Sequence, residues 1–234
     1  MNRLLIPALL LLPALSTAQD AFDYHCADIT ILQAKQVQKE LGITEAQRTK
    51  MNAAASKHQA TLAALDKQYK GKQMNPEDMK KINPQLATAF LKLKKDVCAV
   101  LSPSQMTRLR ELNLQRIGLA ALNDDVVAKK IGMSDAQIKA YRAAFVAGGQ
   151  KAAKLQRDTA KPILDKFAKI KPKTKAEADT LRQRAGEEVD AAEKKVAPQI
   201  VAIEKATQAK LDAVTTPKQK AAFKALMGKP FKPS

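Results

Sequence analysis

Four stretches of this chain of 234 residues share a hydroxyl side chain followed three places later by glutamine: Ile43-Thr44-Glu45-Ala46-Gln47, Leu101-Ser102-Pro103-Ser104-Gln105, Met133-Ser134-Asp135-Ala136-Gln137 and Thr215-Thr216-Pro217-Lys218-Gln219. The pattern is a helix-start device. The hydroxyl of Thr44, Ser102, Ser134 or Thr216 accepts the amide of the glutamine, whose side chain returns to the amide of the cap residue. Pro103 and Pro217 fall at the first helical position, where a missing N–H costs nothing. Leu101 with Met106, and Met133 with Ile138, have the spacing of a hydrophobic staple, whereas Arg48 and Lys220 hold that place in the other two copies.

The copies come in paired order. Val37 to Gln47 aligns without a gap on Val127 to Gln137, with Lys39 on Lys129 and Gly42 on Gly132, and Val100 to Leu112 aligns on Val214 to Leu226. The chain therefore reads as a tandem duplication whose unit is a cap, a long helical hairpin, a second cap and a short helix.

At these motifs the chain resembles the Spy/CpxP family of periplasmic proteins, which is named for the pattern LTxxQ. Leu101-Ser102-Pro103-Ser104-Gln105 comes nearest to it. The resemblance implies a small all-helical protein without a catalytic site; the family includes an ATP-independent chaperone, a stress regulator and metal-linked relatives. Members usually carry two copies and dimerise into a concave cradle. Four copies in one polypeptide imply a comparable concave surface in a monomer or a homodimer.

The first eighteen residues carry Arg3, an apolar run from Leu4 to Leu15 and then Ser16-Thr17-Ala18, the make-up of a cleaved secretory signal. The run is too short to span a bilayer, and no later segment is long and apolar enough to do so. The expected product is periplasmic, with an extracellular location left open. Its domains read as 1–18 signal, 19–117 first helical unit, 118–228 second unit with a longer hairpin, and 229–234 disordered tail.

Forty-one basic residues face 23 acidic ones, a formal net charge of +18. Export argues against a specific nucleic-acid partner, which leaves unfolded or acidic client proteins, an envelope sensor protein and polyanionic envelope material. Aromatic residues make up 4% of the chain and there is no Trp, so alanine dominates the apolar content. Such a sequence forms helices readily but buries little. We expect an all-α fold of tandem hairpins with thin seams, extended rather than compact.

In the first hairpin the seam is read at Met51, Ala55, His58, Leu62, Leu65 and Tyr69, returning through Met79, Ile82, Leu86, Phe90, Leu93 and Val97, with a turn over 71–76. A first helix is read over 28–41 and a linker over 116–125. In the second hairpin Ile138, Tyr141, Phe145, Ala152, Leu155, Ile163 and Phe167 mark one face, which Gly148-Gly149 and Pro162 are expected to soften or kink. The descending arm repeats Leu181, Ala185, Val189, Ala192, Val196, Ile200, Ile203, Thr207, Leu211 and Val214, an eleven-residue period that keeps a seam nearly straight.

Residues 139–175 hold eleven basic and two acidic side chains, and 176–214 hold six basic and eight acidic. Mutual attraction of the arms is one reading. The other is a client-binding ridge of Lys151, Lys154, Arg157, Lys161, Lys166 and Lys169 beside Phe145, Leu155, Ile163 and Phe167, where charge captures and shallow apolar contacts hold weakly.

The only cysteines, Cys26 and Cys98, are read as a disulfide, which would close a loop worth on the order of 4 kcal/mol. The alternative is a metal site at Asp23, His25, Cys26 and Asp28, carrying carboxylate, imidazole and thiolate. With two histidines, His25 and His58, and no nucleophile or phosphate-loop motif, no enzymatic activity and no cofactor are expected. The functional expectation is an exported, ATP-independent chaperone or client-binding protein. An envelope-stress or metal-resistance accessory and a structural protein that binds polyanions are the alternatives.

Overall fold

The computed structural model describes residues 20–70 and 75–232, so the signal segment and most of the first hairpin's turn lie outside the described residues. Among them the chain is all-α, with nine α-helices, two short 3-10 helices and no strand. It divides into two units, one formed by Met1–Gln115 with Lys229–Ser234 and the other by Arg116–Gly228.

The first unit runs α1 (Ala21–Cys26), a 3-10 turn (Ile29–Gln33), α2 (Lys35–Glu40), α3 (Glu45–Tyr69), α4 (Pro76–Cys98) and α5 (Pro103–Ile117). The single helix expected over 28–41 is thus broken. Ala34 is extended, and the Asp28 carboxylate caps the 3-10 turn by accepting from the Thr30 amide at 2.9 Å. The second unit repeats the order with a 3-10 turn (Gly118–Asn123), α6 (Asp125–Lys130), α7 (Asp135–Ala168), α8 (Lys175–Val214) and α9 (Pro217–Met227). Residues 116–125 are therefore not a linker. They form part of the base of the second unit, where Tyr141 Oη donates to the Leu119 carbonyl at 2.8 Å and Arg142 Nη2 to that of Asn123 at 2.7 Å.

Gly42 and Gly132 close α2 and α6 with φ of +60° and +80°, a region that costs L side chains energy. Around each, two amides turn back to the preceding helix: Gly42 to Lys39 and Ile43 to Gln38, and likewise Gly132 to Lys129 and Met133 to Ala128. This stop delivers the chain to the next cap, so the duplicated glycines set the distance between helix end and helix start.

Each unit concentrates its core at the base of its hairpin. In the first unit, Leu32, Val37, Met51, Val97, Cys98, Leu101, Met106, Leu109 and Leu112 form one apolar cluster. The base of the second buries Leu122, Val127, Ile131, Met133, Ile138, Tyr141, Leu211 and Phe223. Both staple pairs, Leu101 with Met106 and Met133 with Ile138, are buried. Each such side chain removed from water contributes roughly 1.5–3 kcal/mol. The arms bury far less: α3 hides only Met51 and Ala54, and α8 only Ala185 and Leu211.

The arms correct the expected seam of α4. On α4 the seam runs through Ile82, Ala89, Leu93 and Val97, while Met79, Leu86 and Phe90 stay 42%, 38% and 41% exposed. The apolar face of α4 is wider than α3 can cover. Pro162 and Pro198 lie inside helices that continue past them. Gly148 is a contact rather than a soft point: a Cβ there would meet Thr207 Oγ1 at 2.2 Å, so its bare backbone lets α7 approach α8. The eleven-residue repeat of α8 holds, every one of its ten positions being buried or half-buried.

The tail after Gly228 is also placed. The Lys229 carbonyl accepts from Arg108 Nη1 and Gln115 Nε2, both at 2.7 Å, and the Phe231 ring packs on the core of the first unit. Disorder was expected from its polar, proline-containing composition, but one aromatic ring and two donors from α5 suffice to order residues 229–232.

Candidate functional site

The four motif hydroxyls cap their helices. Thr44, Ser102, Ser134 and Thr216 accept the amides of Gln47, Gln105, Gln137 and Gln219 at 3.2, 3.3, 3.2 and 3.2 Å. Each glutamine Oε1 in turn accepts its own cap amide, at 3.1, 2.8, 3.0 and 3.0 Å.

The glutamines also pair with each other. Gln47 Nε2 donates to Gln105 Oε1 at 2.7 Å and Gln105 Nε2 returns to Gln47 Oε1 at 3.1 Å. Gln137 and Gln219 repeat the exchange at 3.1 and 3.0 Å. The second amide proton of each goes to a carbonyl that precedes its partner's cap: Gln47 to Val100, Gln105 to Leu41, Gln137 to Val214 and Gln219 to Gly132. Every donor and acceptor site of the four primary amides is thereby used. Each pair is a clasp that locks the start of an ascending arm to the start of the helix following the descending arm. This pairing was missed in the sequence, although its signal was present: two matched glutamines in each copy of a gapless duplication.

Around the first clasp lie charged ties that the second unit lacks. Arg108 holds Glu40 at 2.6 Å and Glu111 at 2.7 Å. Buried Arg110 donates through Nε to buried Asp23 at 2.9 Å, and Thr107 Oγ1 donates to the other carboxylate oxygen at 2.5 Å. On the aligned stretch Arg108 and Arg110 become Ala222 and Lys224.

The N-terminal cluster is therefore structural in its bonding. Asp23 is committed to Arg110 and Thr107, Asp28 accepts from Thr30, and the carbonyls of His25 and Cys26 take Lys94 Nζ and Asn113 Nδ2. Among the described residues, no three His, Cys, Asp or Glu side chains converge as a metal site would need. Cys26 and Cys98, the pair read as a disulfide, are both buried. Burial pushes the Cys98 thiol up to about 11, with nearby Lys94 pulling weakly the other way. A thiol so desolvated is a poor thiolate and a slow partner in exchange. In the other unit, burial and then the Asp212 carboxylate push the Tyr141 phenol up to about 12.

The basic ridge of α7 is only partly assembled. Lys154, Lys161 and Lys166 are tied to Asp158, Asp165 and Glu188 at 2.5, 2.6 and 2.9 Å. Phe167 is buried, and Leu155 and Ile163 are half-buried in the hairpin seam, because their spacing turns them toward α8 while the lysines face solvent. Lys151, Arg157 and Lys169 are exposed, as is Phe145 at 38%. Phe167, Leu155 and Ile163 are thus drawn into the seam, while Phe145, Val146 and Leu164 stay exposed beside these cations of α7.

Met79, Leu86, Phe90 and Leu91 of α4 are all solvent-facing, and Lys57 of α3 and Lys92 of α4 border a groove of about 400 Å³ between the two arms. His58 sits at this seam, and its buried Nδ1 has no hydrogen-bond partner among the described atoms.

No protein-family model, no curated protein and no solved structure matches the chain. Among the described residues, no helix is long and apolar enough to cross a membrane.

Proposed function

We propose that this protein is an exported, ATP-independent chaperone or client-binding protein of Spy/CpxP type, acting in the periplasm on unfolded or acidic polypeptides. The observation that supports this reading best is the α4 face: Met79, Leu86 and Phe90 stand 38–42% exposed on a hairpin arm of a chain with a net charge of +18. Long-range attraction brings an acidic or unfolded chain in, to which the α7 lysines contribute. Scattered apolar side chains then hold it weakly enough to let it go on folding. The clasped bases keep the arms in place without a large core.

The test is light scattering of an aggregating, acidic, unfolded protein with and without the mature chain, at low and moderate salt. ATP-free suppression that fades as salt rises is expected, because screening shortens the reach of the charge to about 8–10 Å at physiological ionic strength. Absence of suppression at several-fold excess overturns the reading.

A further inference from the structure

We propose that the groove between α3 and α4 on the Lys57 side binds a short, extended, acidic stretch of polypeptide. The inference rests on the client-binding reading and names where, and by what chemistry, such a chain is held.

Spacing places the groove. Ala54, Lys57 and Thr61 share one face of α3, and Gln85, Thr88, Lys92 and Asp96 share one face of α4, so these two rows line its walls. Ala54, Pro84, Ala89 and Leu93 give it a low apolar floor. The neutral polar walls are already spent on their own helices: Thr61 Oγ1 donates to the Lys57 carbonyl at 3.1 Å, Thr88 Oγ1 to Pro84 at 2.8 Å and Gln85 Nε2 to Lys81 at 3.2 Å. What these groups present to the groove is mainly methyl and methylene.

The groups left to recognise a ligand are cationic or unsatisfied. Among the described residues, the ion pairs on this hairpin are Arg48–Glu45 and Lys80–Glu77, so neither Lys57 nor Lys92 has a carboxylate partner there. Lys50 lies seven residues before Lys57 and Lys81 eleven before Lys92, each on the same helical face as its partner, which continues the positive rows. Asp96 is the one carboxylate on the walls, at the end near the base. His58 also borders the groove and holds a buried Nδ1 with no protein partner among the described atoms. A groove between two lysine rows, floored by small apolar groups and bordered midway by His58, fits an extended chain. Such a chain alternates carboxylates toward the ammoniums with small apolar side chains toward the floor.

The probe is a short fluorescein-labelled peptide alternating glutamate with valine, titrated with the full mature chain and followed by anisotropy. The double variant Lys57→Glu/Lys92→Glu, which changes only exposed side chains, is expected to weaken binding by about tenfold or more. Lys194→Glu/Lys205→Glu, at exposed positions of α8, changes net charge equally in the other unit and is expected to leave binding within about twofold. Melting curves of the variants verify that each is folded. Equal loss in both double variants, equal competition by a short oligonucleotide, or no binding by the wild type overturns the proposal. The same variants in the scattering assay separate the two readings. Suppression by the wild type with peptide binding indifferent to Lys57 and Lys92 sinks the groove and spares the chaperone. Groove-dependent peptide binding without suppression does the reverse.

Discussion

At the scale of single residues, the paired glutamines carry more structure than their number suggests. A primary amide has two protons and two acceptor positions, and in Gln47, Gln105, Gln137 and Gln219 all four are met by a cap amide, a carbonyl and the opposite amide. Replacing one member strands its partner as well as the cap, and Gln219 is 93% buried, so water replaces the lost bonds poorly. Gln137→Ala and Gln219→Ala are each expected to cost about 1–3 kcal/mol in denaturant unfolding. The double variant should cost less than the sum, with a coupling of at least about 0.5 kcal/mol. Strict additivity in that cycle would show that the two caps act separately. An ordinary capping box would lose only about 1 kcal/mol from either end and show no coupling across helices.

At the scale of elements, the joint of α7 with α8 at Gly148 and Thr207 governs how closely the longer hairpin closes. A Cβ on Gly148 would lie 2.2, 2.6 and 2.9 Å from Oγ1, Cγ2 and Cβ of Thr207, and Thr207 Oγ1 is itself held to the Ile203 carbonyl at 2.8 Å. Gly148→Ala is therefore expected to destabilise the second unit by about 1–3 kcal/mol through overpacking, despite alanine's better helix propensity. Adding Thr207→Ala removes two of the three clashing atoms and should recover most of the loss; stabilisation by Gly148→Ala alone would mean that the arms do not approach there. The two glycines looked like a soft point in the sequence because a glycine that loosens a helix and one that admits a neighbour are the same letter. What separates them is the partner at Thr207, far along the chain in a different helix. Local signals were legible: the caps, the glycine stops and the seam of α8, whose ten positions alternate in steps that only a helix satisfies. The seam of α4 was not, because Met79, Ile82, Leu86, Ala89, Phe90 and Leu93 all lie within reach of one broad face. Only the narrowness of α3 decides which of them water keeps. The candidate groove was illegible for the same reason, since His58 and Lys92 meet through tertiary packing.

For the whole molecule, the duplication extends through both copies, but the two are not closed in the same way. The first unit takes residues 229–232 from the far end of the chain: the Lys229 carbonyl receives Arg108 and Gln115, the Phe231 amide donates to Gln115 Oε1 at 2.8 Å, and the Phe231 ring joins the core that holds Leu109 and Leu112. Arg108 links this tail to Glu40 and Glu111, and its aligned position in the second unit is Ala222, so that closure has no counterpart there. A chain whose last residues stabilise its first unit has stability that does not divide cleanly at the duplication boundary. Phe231→Ala removes a half-buried ring from a thin core and is expected to lower the stability of the first unit by about 1–3 kcal/mol, less than a fully buried ring because part of it already meets water. Amide hydrogen exchange is the suitable measurement, because it reads each unit separately within the intact chain. Protection should fall across α2, α3 and α5 and remain in α7 and α8. Equal loss in both hairpins would show that the units unfold as one body, and no loss in either would show that the tail does not close the first unit in solution.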